Sequence, residues 1–211
     1  MDDRIAIVGA GRVGGALAVT FTRAGLPVRI GVRPGSDVAA LLARCHGLAQ
    51  AASVADAAAW ASAVFLAVPA AAALEAAREC GDVTGKVVVD CTNPVRWDNG
   101  PVWAPPPEGS VTAALAAALP GARPVKAFNT FGAEIHADPA LGGAPAEVLL
   151  AGDDGLALEA VGRIALRAGF SPIAAGGLRN AGLLESLAVL WIHLATVGSQ
   201  GRHFAFRLAH R

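Results

Sequence analysis

The segment Gly9-Ala10-Gly11-Arg12-Val13-Gly14 follows the apolar run Ile5–Val8 and leads into Leu17, Val19 and Phe21 at helical spacing. A G-x-G-x-x-G loop between a strand and a helix is suited to holding a dinucleotide. Gly9 permits the tight turn, Gly11 lets the backbone approach the pyrophosphate, and Gly14 lets the helix pack closely on the strand. The free N–H groups of the helix start face the phosphates, so all six positions are candidate cofactor contacts. An NAD site presents an Asp or Glu to the ribose 2′-hydroxyl about 20 residues further on. Here the second strand ends Ile30-Gly-Val32-Arg33-Pro-Gly-Ser36, without a carboxylate, and Asp37 falls too far past the strand. Arg33 can stack on adenine and fork onto a 2′-phosphate, Ser36 can add a hydroxyl contact, and Val32 backs them. NADP is therefore expected over NAD.

Three more segments end strands on the same carboxyl edge: Val68-Pro69, Thr92-Asn93-Pro94 and Phe128-Asn129-Thr130. Their polar groups can meet the ribose, the nicotinamide and a substrate, although Asn and Thr also serve as ordinary turn and capping residues. Acid–base chemistry is poorly provided for. There is no Tyr, and Lys86 and Lys126 are the only lysines, which removes two routes to carbonyl protonation. His136 reads as a loop residue within reach of an acceptor, and His193, beside Trp191, as a packed core or interface histidine. They are the candidate proton donors if the substrate is an imine or carbonyl. Glu185 lies on roughly the same helical face as His193, but no metal-ligand set accompanies them. Ser-His-Asp order, H-E-x-x-H and a P-loop Lys are all missing. The catalytic residues stay unassigned, and no metal is expected.

Short apolar runs alternating with Ala-rich stretches must position these residues. Strands are expected at 5–8, 28–32, 64–68, 87–91, 125–128 and 148–150, with helices at 13–24, 36–45, 53–60, 70–80, 110–119 and 155–168. This is the pattern of an α/β, doubly wound parallel sheet. The Pro-rich stretch 93–109 sits where such sheets bind ligands and reads as a pocket wall or an ordered surface loop. Past Gly177 come one long apolar helix, 181–197, and a basic tail. The expected division is a dinucleotide-binding domain, 1–176, and a short helical segment, 177–211, serving the acceptor site and a dimer contact. The apolar helix is hard to cover within one chain, which points to a homodimer.

The 211 residues are 54% hydrophobic and 16% charged, which excludes disorder. Seventeen basic residues balance 17 acidic ones, leaving no electrostatic footprint for nucleic acid. Ala57–Leu74 is uncharged throughout, but Pro69 interrupts it and 63–68 reads as a buried strand, so no membrane span is expected. The Met1-Asp-Asp-Arg start is not a secretory signal, and three cysteines without C-x-x-C spacing read as reduced thiols, which together point to a cytoplasmic protein.

Lys126-Ala-Phe-Asn-Thr130, Gly152-Asp-Asp154 and Gly176-Gly-Leu-Arg-Asn-Ala-Gly-Leu-Leu-Glu-Ser-Leu187, with the N-terminal glycine loop, resemble the NADPH-dependent coenzyme F420 reductases. Their wider Rossmann family includes the reductase domains of STEAP-type ferrireductases. The resemblance covers nearly the whole chain. It implies NADP on Gly9–Gly14, Arg33, Val68, Pro69, Asn93 and Asn129. It further implies an acceptor, coenzyme F420 or a flavin, stacked on the nicotinamide near the Asn129 loop. The chain departs from the family at Val32, where Ser is frequent, and at Gly182, where an Arg commonly stands. Arg179 is the cation that could replace the latter. The reading is an NADP-dependent oxidoreductase moving hydride to a planar acceptor; the alternatives are an imine or carbonyl reductase and a dinucleotide-binding module without turnover.

Overall fold

The computed structural model describes residues 3–209. The dominant sheet runs β3-β2-β1-β4-β5-β8, every pair parallel. Its strands are β1 (Ile5–Val8), β2 (Val28–Gly31), β3 (Ala49–Ala52), β4 (Ala63–Leu66), β5 (Val87–Asp90) and β8 (Arg123–Lys126). The order reverses between β1 and β4, which opens a crevice above the glycine loop. Buried Ile, Val and Phe on both faces explain the unbroken apolar runs, because helices cover each side of a parallel sheet.

Helix α1 (Arg12–Arg23) follows β1, α2 (Ala39–Ala43) follows β2 and α3 (Val54–Trp60) follows β3. A 3-10 turn, Ala70–Ala72, leads into α4 (Ala73–Glu79), and α5 (Val111–Ala118) precedes β8. Helices α3 and α5 start where side chains capture free amides: Ser53 accepts from Asp56 N (3.1 Å), and Ser110 from Ala113 N (3.0 Å). Beyond β8 come α6 (Ala133–Ala137), the small hairpin β9 (Ala140–Leu141) and β10 (Ala144–Pro145), and a parallel pair β11 (Glu147–Leu150) and β12 (Ser171–Ala174) around α7 (Gly155–Arg167). The chain then forms α8 (Ala181–Thr196).

Several expectations need correction. The helix foreseen at 36–45 is only Ala39–Ala43, because Gly35 adopts φ 79° and Asp37 Oδ1 accepts Ala39 N (3.0 Å), so the helix cannot start earlier. The strand expected at 125–128 lies two residues earlier, and Phe128 turns with φ 58°. Strands β3 and β12 were not foreseen. The Pro-rich stretch contains an antiparallel hairpin, β6 (Val95–Trp97) and β7 (Pro101–Trp103), turned by Asn99 (φ 51°) and Gly100 (φ 155°). Asn-Gly between two Trp-containing runs is a hairpin signal that could have revealed it. No helix among the described residues is long and apolar enough to cross a membrane.

Candidate functional site

The glycine loop is shaped by what each Cβ would meet. At Gly9, with φ 103°, a Cβ would lie 2.6 Å from the Ala67 carbonyl oxygen, and at Gly14 it would lie 2.0 Å from that of Gly9. Both positions require glycine so that the turn and the helix can approach β1 and β4. A Cβ at Gly11 would meet nothing within 4 Å. That side of the loop faces open space, as a cradle for a bulky anion requires. Helix α1 has neither a side-chain cap nor an acid in its first turn, so its leading N–H groups are free for phosphate.

Gly9, Ala10, Gly11, Val32, Arg33, Ser36, Val68 and Pro69 line one cleft of about 410 Å³. Eight sequence-predicted residues from the ends of β1, β2 and β4 thus come together. Arg33 and Ser36 stand exposed at the β2 end, and Ser36 N donates to Arg33 O (3.1 Å), turning the loop toward the cleft. Glu75 and Glu79 of α4 also line it, which sequence reasoning missed. These residues fit a dinucleotide: an uncapped helix start and an unobstructed Gly11 for the pyrophosphate, and an exposed guanidinium with a hydroxyl for a 2′-phosphate.

Pro69 joins this cleft to a second, of about 560 Å³, lined by Asn93, Pro94 and the Pro-rich stretch. Four predicted residues line neither cleft. Gly14 is packed inside, Val13 lies against the core, and Arg12 turns away to pair with Glu134 of α6. Asn129 is buried. Its Nδ2 donates to Asn93 Oδ1 (2.8 Å) and Leu184 O (3.0 Å), while Asn93 Nδ2 donates to Asn129 O (2.8 Å). Two acceptors hold the Asn129 amide nitrogen, its Oδ1 is buried without a hydrogen-bond partner, and Asn129 meets the second cleft through Asn93.

His136 is not where the sequence suggested, and His193 is not a core residue. His136 is 0% exposed on α6, not on a surface loop. Desolvation lowers its imidazole to about 4. His193 is exposed on α8 rather than packed, and neither histidine lines either cleft. Arg179 is likewise exposed and lines neither. Glu185 is buried and bonded to Lys126, Trp103 and Val111, with no role beside His193. Among the described residues no group of His, Cys, Asp and Glu is arranged to hold a metal ion. A further cavity, lined by Arg23, Pro139 and Arg167, lies by the carbonyl ends of α1 and α7, which disfavour phosphate.

The model of the family NADP oxidoreductase coenzyme F420-dependent matches residues 4–94. A solved candidate F420-dependent NADP reductase from Arthrobacter sp. FB24 is 29% identical, with 98% of this chain and 99% of that one covered and a TM-score of 0.87. A hypothetical protein, SMa0349, from Sinorhizobium meliloti is 31% identical over 85% of this chain and 87% of its own, with a TM-score of 0.75. The chain belongs to this Rossmann-type reductase family. A reductive aminase from Aspergillus terreus, solved with NADPH and ethyl-5-oxohexanoate, shares the fold at 19% identity and a TM-score of 0.67, over 94% of this chain and 64% of that one. No curated protein matches. Membership in the F420-dependent NADP oxidoreductase family accords with the α/β sheet order and with the glycine loop at its switch point.

Proposed function

We propose that the chain is an NADP(H)-dependent oxidoreductase that moves hydride between the nicotinamide and a planar acceptor, a deazaflavin of the F420 kind or a flavin. The observation that carries this reading is the open face of Gly11 above an uncapped α1, in one cleft with Arg33 and Ser36. The backbone of Gly9–Gly14 would hold the pyrophosphate, and Arg33 and Ser36 the 2′-phosphate. Val32, Val68 and Pro69 would shape the path, and Asn93 and Pro94 would flank the nicotinamide end with Asn129 behind them. Arg12 would serve from the Glu134 side. A bound nicotinamide supplies hydride transfer, which asks the protein mainly for orientation and exclusion of water. That suits two clefts without a histidine or lysine in their linings.

The same reading assigns 1–176 to the dinucleotide and 177–211 to the acceptor side and a homodimer contact. Leu183, Leu187, Leu190, Leu194 and Val197 recur at steps of four and three along the chain, the spacing of an interhelical seam. Leu183 is 66% exposed and Leu190 48%, so a second copy is the natural cover. A cytoplasmic location is supported by three unpaired, buried cysteines.

The deciding experiment mixes the protein anaerobically with NADPH and, in turn, coenzyme F420, FMN, FAD and small imines or carbonyls, following the reduced-nicotinamide absorbance. Oxidation with the deazaflavin or a flavin is expected. Oxidation with an imine or carbonyl alone would move the assignment to that class, and none with any acceptor would leave a dinucleotide-binding module.

A further inference from the structure

Behind the Asn93 cleft lies a cluster of ionisable groups sealed from water. Lys126, Asp90 and Glu185 are each 0% exposed. Lys126 Nζ donates to Asp90 Oδ2 and Glu185 Oε1, both at 2.9 Å, and to the Thr92 carbonyl, which uses all three of its protons. Asp90 also accepts from Thr92 N (2.8 Å) and the Thr112 hydroxyl (2.7 Å). Glu185 also accepts from Val111 N (2.9 Å) and Trp103 Nε1 (3.1 Å).

Four of these bonds end on three wall segments of one cleft. Thr92 immediately precedes Asn93 and Pro94, Trp103 precedes Ala104 and Pro105, and Val111 lines the cleft itself. The three segments belong to the end of β5, the end of β7 and the start of α5; the β6–β7 hairpin and the Ala104 N–H to Pro94 O bond (2.8 Å) tie the first two together, and Glu185 ties the second to the third. Glu185 holds two, and Lys126 holds the third. A buried ion cluster is a weak source of stability compared with apolar packing, and this one holds the β7 end and the α5 start through Glu185 and the β5 end through Lys126.

The lining itself is apolar. Leu74, Val95, Pro106 and Val111 are typical of it, Asn93 is its only polar side chain, and no charged side chain belongs to it. At about 560 Å³ it has room for a fused ring system, and it meets the cofactor cleft at Pro69.

We propose that this cleft takes the hydride acceptor as a planar ring recognised by apolar contact and one amide, with Glu185 as the positioning residue that sets its walls. The inference rests on the function proposed above. With no cation in the lining, the ring itself is recognised without help from a phosphate on the acceptor's tail.

The test titrates riboflavin and FMN fluorescence with the full-length protein in the absence of NADPH. Both flavins bind with dissociation constants within about threefold of each other. Ala71→Trp and Ala104→Trp, which intrude from two different walls, weaken riboflavin at least tenfold, by order of magnitude, and leave NADPH binding unchanged. Trp103→Phe keeps the packing, removes only the bond to Glu185, and raises the riboflavin constant about fivefold while the NADPH constant holds. A merely weakened fold would move both. Wild-type riboflavin affinity in both Trp-insertion variants overturns the location, and in Trp103→Phe it overturns the positioning role. No riboflavin binding, or strong preference for FMN, overturns the acceptor class. Failure of the wild type to bind NADPH overturns the oxidoreductase reading instead, and the flavin titration still decides the cleft.

Discussion

His136 Nε2 lies 2.8 Å from the carbonyl oxygen of Phe128, and its Nδ1 lies 2.9 Å from that of Gly132. A neutral imidazole donates from one nitrogen only, so one of these carbonyls receives no proton from the ring. Burial lowers the imidazole to about 4 even though both carbonyls and Glu134 act to raise it. The ring is a structural plug under the loop after β8.

Because the folded value lies below the unfolded one of 6.5, the unfolded chain binds the proton first as pH falls. Stability from this group is complete above about pH 6.5, falls between there and pH 4, and is flat below, with a total loss on the order of 3 kcal/mol. Denaturant melts across that window should show the slope, and His136→Gln should remove most of it.

Gly11→Ala and Gly14→Ala separate binding from folding. A Cβ at Gly11 meets only open space, so the variant should melt like the wild type yet bind NADPH at least tenfold more weakly, a loss of about 1.4 kcal/mol or more. At Gly14 a Cβ meets the Gly9 carbonyl oxygen at 2.0 Å, so that variant should lose stability before affinity can be read. Thermal denaturation and tryptophan-fluorescence titration check both. Unchanged affinity in Gly11→Ala would remove the dinucleotide from this loop.

Arg33 stands exposed at the β2 end, in the cleft with Ser36. Arg33→Ala should weaken NADPH by about 1.5–3 kcal/mol and leave NADH nearly unchanged, because a charge-assisted bond is lost only from the phosphorylated ligand. Equal losses for both cofactors, measured by competitive titration, would refute the 2′-phosphate assignment.

The α8 seam predicts a concentration-dependent dimer. Leu190→Glu places a charge at a position 48% exposed in the single chain and should shift sedimentation from dimer to monomer at micromolar concentration without unfolding the protein. A wild type that sediments only as monomer would rule out the homodimer.

The glycine loop, the strand before it and the helix after it were legible because all of their determinants are local: apolar spacing and three glycines act over a few residues. Arg33 and Ser36 were readable for the same reason, since the missing carboxylate is a fact of one strand end. Strand β3, Ala-Gln-Ala-Ala, carries no β signal of its own and exists because β2 offers it an edge. Asn93 and Asn129, 36 residues apart, and Lys126 and Glu185, 59 apart, meet only when β5, β8 and α8 converge. Tertiary structure likewise sealed His136 inside and turned His193 to solvent. One sequence neighbourhood cannot decide burial or partnership, because both depend on which distant segments the sheet order brings alongside.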